Sequence, residues 1–270
     1  MRARIFSLTL GLLLLATGAI AGLKIPPYTT HTLDNGLTVQ ILRHAIVPMV
    51  SVELWINAGA GEDPDAQAGL ASLTASALRK GAGDRDADEF AEAVDFLGAR
   101  LTTGVDAERT RVAMSLLSRD LETGLSLLAD AVMRPRFTDD EVVKIRDQMA
   151  EGVVQAKENP RNVLGAFSRA HLFGAHAYGR AVDGTETSLP SLGVDDVRAF
   201  HADHYGADRA ILTLAGDLDP ESTLELVEQI FSSMPAARVA RREWTAPTPP
   251  DPERDHIVRK LGGNDVLARG

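Results

Sequence analysis

An Asn-Gly pair, Asn35-Gly36, stands between two apolar-flanked runs near the start of the chain, in Leu33-Asp34-Asn35-Gly36-Leu37. Two adjacent residues that tolerate positive φ fit the tightest turns between antiparallel strands, so this segment predicts a β-hairpin that opens the domain. The stretches Leu37 to Leu42 and Val47 to Ile56 alternate apolar and polar residues, with Val50, Val52, Leu54 and Ile56 sharing one side of the second. Period two marks half-buried strands, and these two read as antiparallel neighbours.

Beyond the turn chemistry of Ala58-Gly59-Ala60-Gly61-Glu62-Asp63-Pro64 the period changes. Leu70, Leu73, Ala77 and Leu78 recur at helical spacing within Ala66 to Leu78, as do Phe90, Val94 and Leu97 within Asp86 to Leu97. Strands are expected at Arg100 to Thr103 and Thr110 to Leu116. Helices are expected at Leu121 to Met133, Asp139 to Lys157, Val163 to Leu172 and Val194 to His204, followed by a strand at Ala210 to Ala215 and a helix at Pro220 to Phe231. Thr138-Asp139-Asp140-Glu141 has the spacing of a capping box at the head of the longest helix. Strands interleaved with helices in this order predict an α+β fold, an antiparallel sheet covered by helices on one face.

The chain contains no cysteine, which excludes disulfides, cysteine-ligated zinc, iron–sulfur clusters and thiol catalysis. Its formal charge of −10 offers no electrostatic footprint for nucleic acid, so no nucleic-acid partner is expected. Arg2 and Arg4 precede the mostly apolar stretch Ile5 to Ile20, which ends at Ala19-Ile20-Ala21. This is the pattern of an export signal over residues 1–21, cleaved after Ala21, and the stretch is short for spanning hydrocarbon. A periplasmic or extracellular protein follows, with no stable membrane span once the signal is removed. The segment 22–232 reads as one domain. From 233 to 270, Pro235, Pro247, Pro249, Pro250 and Pro252 lie among charges, which reads as a Pro-rich linker followed by the start of a second domain that is missing.

A set of short motifs runs in order from the hairpin to the last helix: Thr32-Leu33-Asp34-Asn35-Gly36-Leu37, Ala58-Gly59, Gly69-Leu70-Ala71, Leu78-Arg79-Lys80-Gly81, His176-Ala177-Tyr178-Gly179-Arg180, Gly184-Thr185, His204-Tyr205 and Leu214-Ala215-Gly216-Asp217. In this order they resemble the insulinase/pitrilysin family of inverted-motif zinc metallopeptidases, and in particular the half-subunits of processing-peptidase type. The resemblance implies a metallopeptidase-like half-subunit domain. Active members carry His-x-x-Glu-His on the first helix, where residues four apart share a face, so two imidazoles reach one zinc while the Glu polarises its water. A Glu on a later helix is the third ligand.

Laid on that pattern, Ser72 and Ser76 occupy the histidine positions, Ala75 the general-base position and Gly152 the distal glutamate position, with Glu151 one residue away. The resemblance therefore implies no catalytic and no metal-ligating residue here, and no cofactor, zinc being expected in the family and in a partner. The seven histidines are His31, His44, His171, His176, His201, His204 and His256, so none lies between residues 45 and 170 to replace the lost ligands. His201 and His204, three apart on one expected helix with Asp203 between them, are the remaining candidates for half a metal site. Ser72 as a nucleophile lacks a sequence-near base.

Three functions follow from the resemblance. The first is a non-catalytic peptide-binding or scaffolding subunit of an exported zinc metallopeptidase assembly, whose partners are a zinc-bearing homologous subunit and an unfolded peptide. The second is an active zinc endopeptidase with ligands outside the motif. The third is a truncated fragment with no independent function.

Overall fold

The computed structural model describes residues 26–174, 176–240, 242–243 and 245–247, and the backbone of 255–258 and 266–269. The export signal expected at 1–21 lies outside the described residues, as do 241, 244, 248–254, 259–265 and 270 of the expected linker region.

The Asn-Gly turn forms where its chemistry places it. β1 (Thr29–Thr32) and β2 (Thr38–Arg43) pair antiparallel. Gly36 takes φ 92°, a left-handed conformation that costs glycine little, and its N–H donates to the Leu33 carbonyl at 2.9 Å. Next come β3 (Met49–Ile56), α1 (Leu70–Ala77), α2 (Ala87–Phe96), β4 (Thr102–Val105) and β5 (Thr110–Leu117). The helices α3 (Leu121–Met133), α4 (Asp139–Ala156), α5 (Pro160–Phe173) and α6 (Val194–His204) follow, then β6 (Ala210–Gly216) and α7 (Pro220–Phe231). A separate antiparallel pair, β7 (Asp255–Val258) and β8 (Val266–Arg269), lies in the expected linker region.

The sheet order is β1-β2-β6-β3-β5-β4, antiparallel except that β2 and β6 run parallel. β2 and β3 are therefore not neighbours, contrary to the reading of the sequence. β6 lies between them, pairing Val39 with Leu212 on one side and Leu54 with Leu212 on the other. Alternation reports which face a strand buries and carries no information about its neighbours.

One face of the sheet is the core. Val39, Ile41, Val52, Leu54, Val112, Met114, Leu212 and Leu214 are buried there and packed under α3 and α7, whose Leu125, Leu128, Val132, Val227 and Phe231 face them. The opposite face carries Ser51, Glu53, Trp55, Arg111 and Ser115, where Glu53 accepts from Arg111 and from the Trp55 indole at 3.0 Å. The Arg111 guanidinium beside Glu53 holds that carboxyl below the usual range.

Helix starts are fixed by side chains where the sequence supplies them. Asp86 accepts from the N–H groups of Asp88 and Glu89 while Glu89 returns a bond to Asp86 N–H at 2.9 Å, a full capping box for α2. Asp219 and Asn159 cap α7 and α5, each ahead of a proline. The capping box expected at Thr138 does not form: Thr138 makes no side-chain cap bond, and Glu141 instead pairs with Lys144 at 2.5 Å and Lys80 at 3.6 Å. Two ammonium groups are stronger partners for that carboxylate than one backbone amide.

After α7 the described residues lie back on the domain. Ala207 N–H donates to the Pro235 carbonyl at 2.8 Å, Ala237 N–H to Asp208 at 2.7 Å, and Arg242 reaches the Gly61 carbonyl at 3.3 Å.

Candidate functional site

The helix α1, LASLTASA, has no charged residue, and all of it except Ser76 is buried. A helix apolar or small on every side needs partners all round, and α1 packs between β4, α4 and α6. That position brings the first expected helix against the longest one.

At Ser72 and Ser76, where the resemblance implies histidine in active members, the side chains are short. Ser72 is buried and donates its hydroxyl to the Val182 carbonyl at 2.8 Å. Ser76 is half-buried, and Ala75 is buried as a bare methyl. On α4, Gly152 is exposed, with nothing within 4 Å of where a Cβ would stand. Glu151 is also exposed and lines a shallow surface groove with Val154, Gln155 and Glu186.

The N-terminal end of α1 is held by a residue that the sequence alone did not single out. Asp63 is buried, and its two oxygens accept from the N–H groups of Gly69 and Ala71, each at 2.8 Å. Burial pushes its pKa up to about 7 against the opposing pull of those amides and of Arg180. Arg180 donates to the Asp63 carbonyl and to Asp65 at 2.5 Å, which ties the 176–187 loop to the approach of α1. A cap acting across six residues of turn leaves no spacing signal.

Backbone packing closes the same end. Gly69 and Gly184 have φ 94° and 83°, and a Cβ on Gly69 would lie 2.7 Å from the Gly184 Cα. Only glycine lets these backbones touch. Ser188 then donates to the Ala68 carbonyl at 2.7 Å.

His201 and His204, the candidates for half a metal site, take different partners. His201 is mostly buried in α6, donates Nε2–H to the Val132 carbonyl at 2.7 Å and sits edge-on to Phe137. His204 meets Arg209 at 3.3 Å instead. Burial lowers the pKa of both. His176 accepts from Tyr178 N–H at 3.2 Å through Nδ1 and faces the Thr245 carbonyl at 3.0 Å. Among the described residues, no group of three or more His, Asp or Glu side chains is placed to hold a metal ion.

Beside α1 runs β4, which among the described residues pairs only with β5 and so ends the sheet. Its outer edge presents unpaired backbone groups of Thr102–Val105. Among the described residues no helix is long and apolar enough to cross a membrane.

Comparison with known proteins gives two family-model matches. The model described as insulinase (peptidase family M16) matches residues 39–186, and that described as peptidase M16 inactive domain matches 191–267. A protein of Mycobacterium leprae called an uncharacterized zinc protease is 31% identical over 80% of this chain and 48% of its own length. Subunit 1 of the bovine mitochondrial cytochrome b-c1 complex is 27% identical over 81% of this chain and 45% of its own. The chain thus spans about half the length of these curated relatives. A solved structure titled peptidase M16 inactive domain, from Pseudomonas fluorescens, superposes with a TM-score of 0.78 at 27% identity, covering 83% of this chain and 54% of that one.

Proposed function

The chain belongs to the insulinase peptidase family, M16, and on that premise we propose that it is a non-catalytic half, which binds peptide for an assembly whose zinc sits in a homologous subunit. The observation that carries this reading is the donor set on α1. Ser72 already spends its hydroxyl on a backbone carbonyl, Ala75 offers a methyl, and Gly152 offers no side chain. Zinc takes imidazole nitrogen, thiolate or carboxylate, and a hydrolytic site needs a base beside the metal-bound water. These residues do not fit the metal. No step of hydrolysis is assigned to this chain.

What remains usable is shape and backbone. The free edge of β4 lies alongside α1, where an extended peptide can add as a further strand through main-chain hydrogen bonds that need no metal. The acidity of the chain favours peptides with basic segments. Within this proposal residues 22–232 form the working domain, and the leader directs it outside the cytoplasm.

The decisive experiment measures metal content of the purified chain by mass spectrometry, alongside cleavage and binding of an unfolded basic peptide. Expected are negligible zinc, no chelator-sensitive cleavage, and binding lost when the peptide backbone is N-methylated. Stoichiometric zinc with chelator-sensitive cleavage overturns the reading. Co-purification with a zinc-bearing homologue tests the assembly itself.

A further inference from the structure

A groove of about 1120 Å³ is lined by residues of α2 and α3 and by Ile230 of α7. Its lining shares no residue with α1, α4 or β4. The apolar part is formed by Phe96, Leu97, Met133 and Ile230. Phe96 is 90% exposed, although α2 turns Phe90 and Val94 to the core. An aromatic ring standing free beside a concavity is a large apolar area without a partner.

The charge around this floor is one-sided. Asp84, Glu89, Glu92, Asp120 and Asp130 line the groove against only Arg85 and Arg134. Both guanidiniums are committed to Asp130, at 3.5 and 2.5 Å. Glu89 accepts the Asp86 N–H in the capping box, and Glu92 is exposed on the same helix. Asp120 pairs with Arg119 at 3.4 Å, so Asp84, Glu89 and Glu92 present the negative rim around the apolar floor.

We propose that this groove is a docking site for a basic amphipathic helix of a partner protein. Its apolar stripe lies against Phe96, Leu97, Met133 and Ile230, and its lysines or arginines face Glu89, Glu92 and Asp84. Charge complementarity selects the sign of the partner. Its conformation follows from the walls: α2, α3 and α7 offer no strand edge, so an extended segment would leave its backbone groups unpaired, whereas a helix satisfies its own. The inference stands apart from the peptide edge at β4 and does not depend on it.

The test is fluorescence anisotropy of a labelled helical peptide of leucine and lysine, titrated with the full chain at low and high salt. The controls are the same peptide with glutamate for lysine and the variants Phe96→Ser and Glu92→Lys. Both positions are exposed, so neither variant disturbs the core, and circular dichroism checks this. Expected is binding that weakens with salt, falls about tenfold in Phe96→Ser and about threefold in Glu92→Lys, and is absent for the glutamate peptide. Wild-type affinity in both variants, or equal binding of the glutamate peptide, overturns the proposal. Self-association of the free chain that Phe96→Ser abolishes assigns the groove to a second copy instead, and also overturns it.

Discussion

The Ser72 hydroxyl and the Val182 carbonyl are joined at 2.8 Å, so the first helix and the loop that crosses it hold each other. Replacing the serine leaves a partly buried carbonyl without its donor. We expect Ser72→Ala to cost about 1 kcal/mol in urea denaturation, with hydrogen exchange rising in 181–184 more than in β3. Unchanged exchange in that loop would show that the bond does not tether it.

Rebuilding the family pattern should restore metal binding if only side chains were lost. The quadruple variant Ser72→His, Ala75→Glu, Ser76→His and Gly152→Glu gives α1 and α4 a full donor set, and the space beyond Gly152 is open. Mass spectrometry should find about one zinc per chain in the variant and negligible zinc in the parent. A folded variant that still takes up no zinc would mean that α1 and α4 are placed wrongly for a metal.

Asp63 imposes a pH dependence whose sign is fixed by its raised pKa of about 7 against an ordinary value of 3.8. The folded state holds the proton more tightly, so stability is highest below the ordinary value and falls as pH rises towards 7. The slope is at most about 1.4 kcal/mol per pH unit. His201 and His204, lowered by burial, tilt the opposite way as pH rises through their ordinary value of 6.5. The measurable quantity is therefore the difference between the wild type and Asp63→Asn, by denaturation from about pH 4.5 to 7.5. That difference should shrink in the wild type's disfavour as pH rises. A flat difference would place the Asp63 pKa near its ordinary value.

Gly184→Ala should destabilise by about 1–3 kcal/mol through its positive φ alone, and further through contact with Leu189 and the Ala68 carbonyl, 2.7 and 2.9 Å from the new Cβ. Gly165→Ala, exposed on α5 with nothing near its Cβ, is the matched control and should not destabilise. Thermal melts of the two separate strain at the α1 end from the general effect of adding a methyl.

Local chemistry was the legible part of this fold. The turn at Asn35-Gly36 and the helices Leu121–Met133, Val194–His204 and Pro220–Phe231 stand where periodicity and capping residues put them. Strand order was not legible, because Leu212 and Leu214 alternate equally well beside β2, β3 or both. At the site, the pattern located Ser72, Ala75, Ser76 and Gly152 on two helices with no metal donor among them. It could not reveal that Asp63 caps α1, that Val182 receives the Ser72 hydroxyl, or that Glu141 would leave its cap for Lys80 and Lys144. The Ser72–Val182 and Glu141–Lys80 partnerships are decided by which distant segment arrives alongside, and the Asp63 cap by the course of the turn before α1.

The central place of β6 has a consequence for how the chain acquires this form. Leu212 must enter between Val39 and Leu54, so the strands made first stay without their shared neighbour until nearly the whole domain has been synthesised. Such late, long-range closure slows folding and keeps the early segments unfinished while they emerge from the ribosome. A nascent chain in that condition is still threadable, which is the state that any passage through a narrow channel requires.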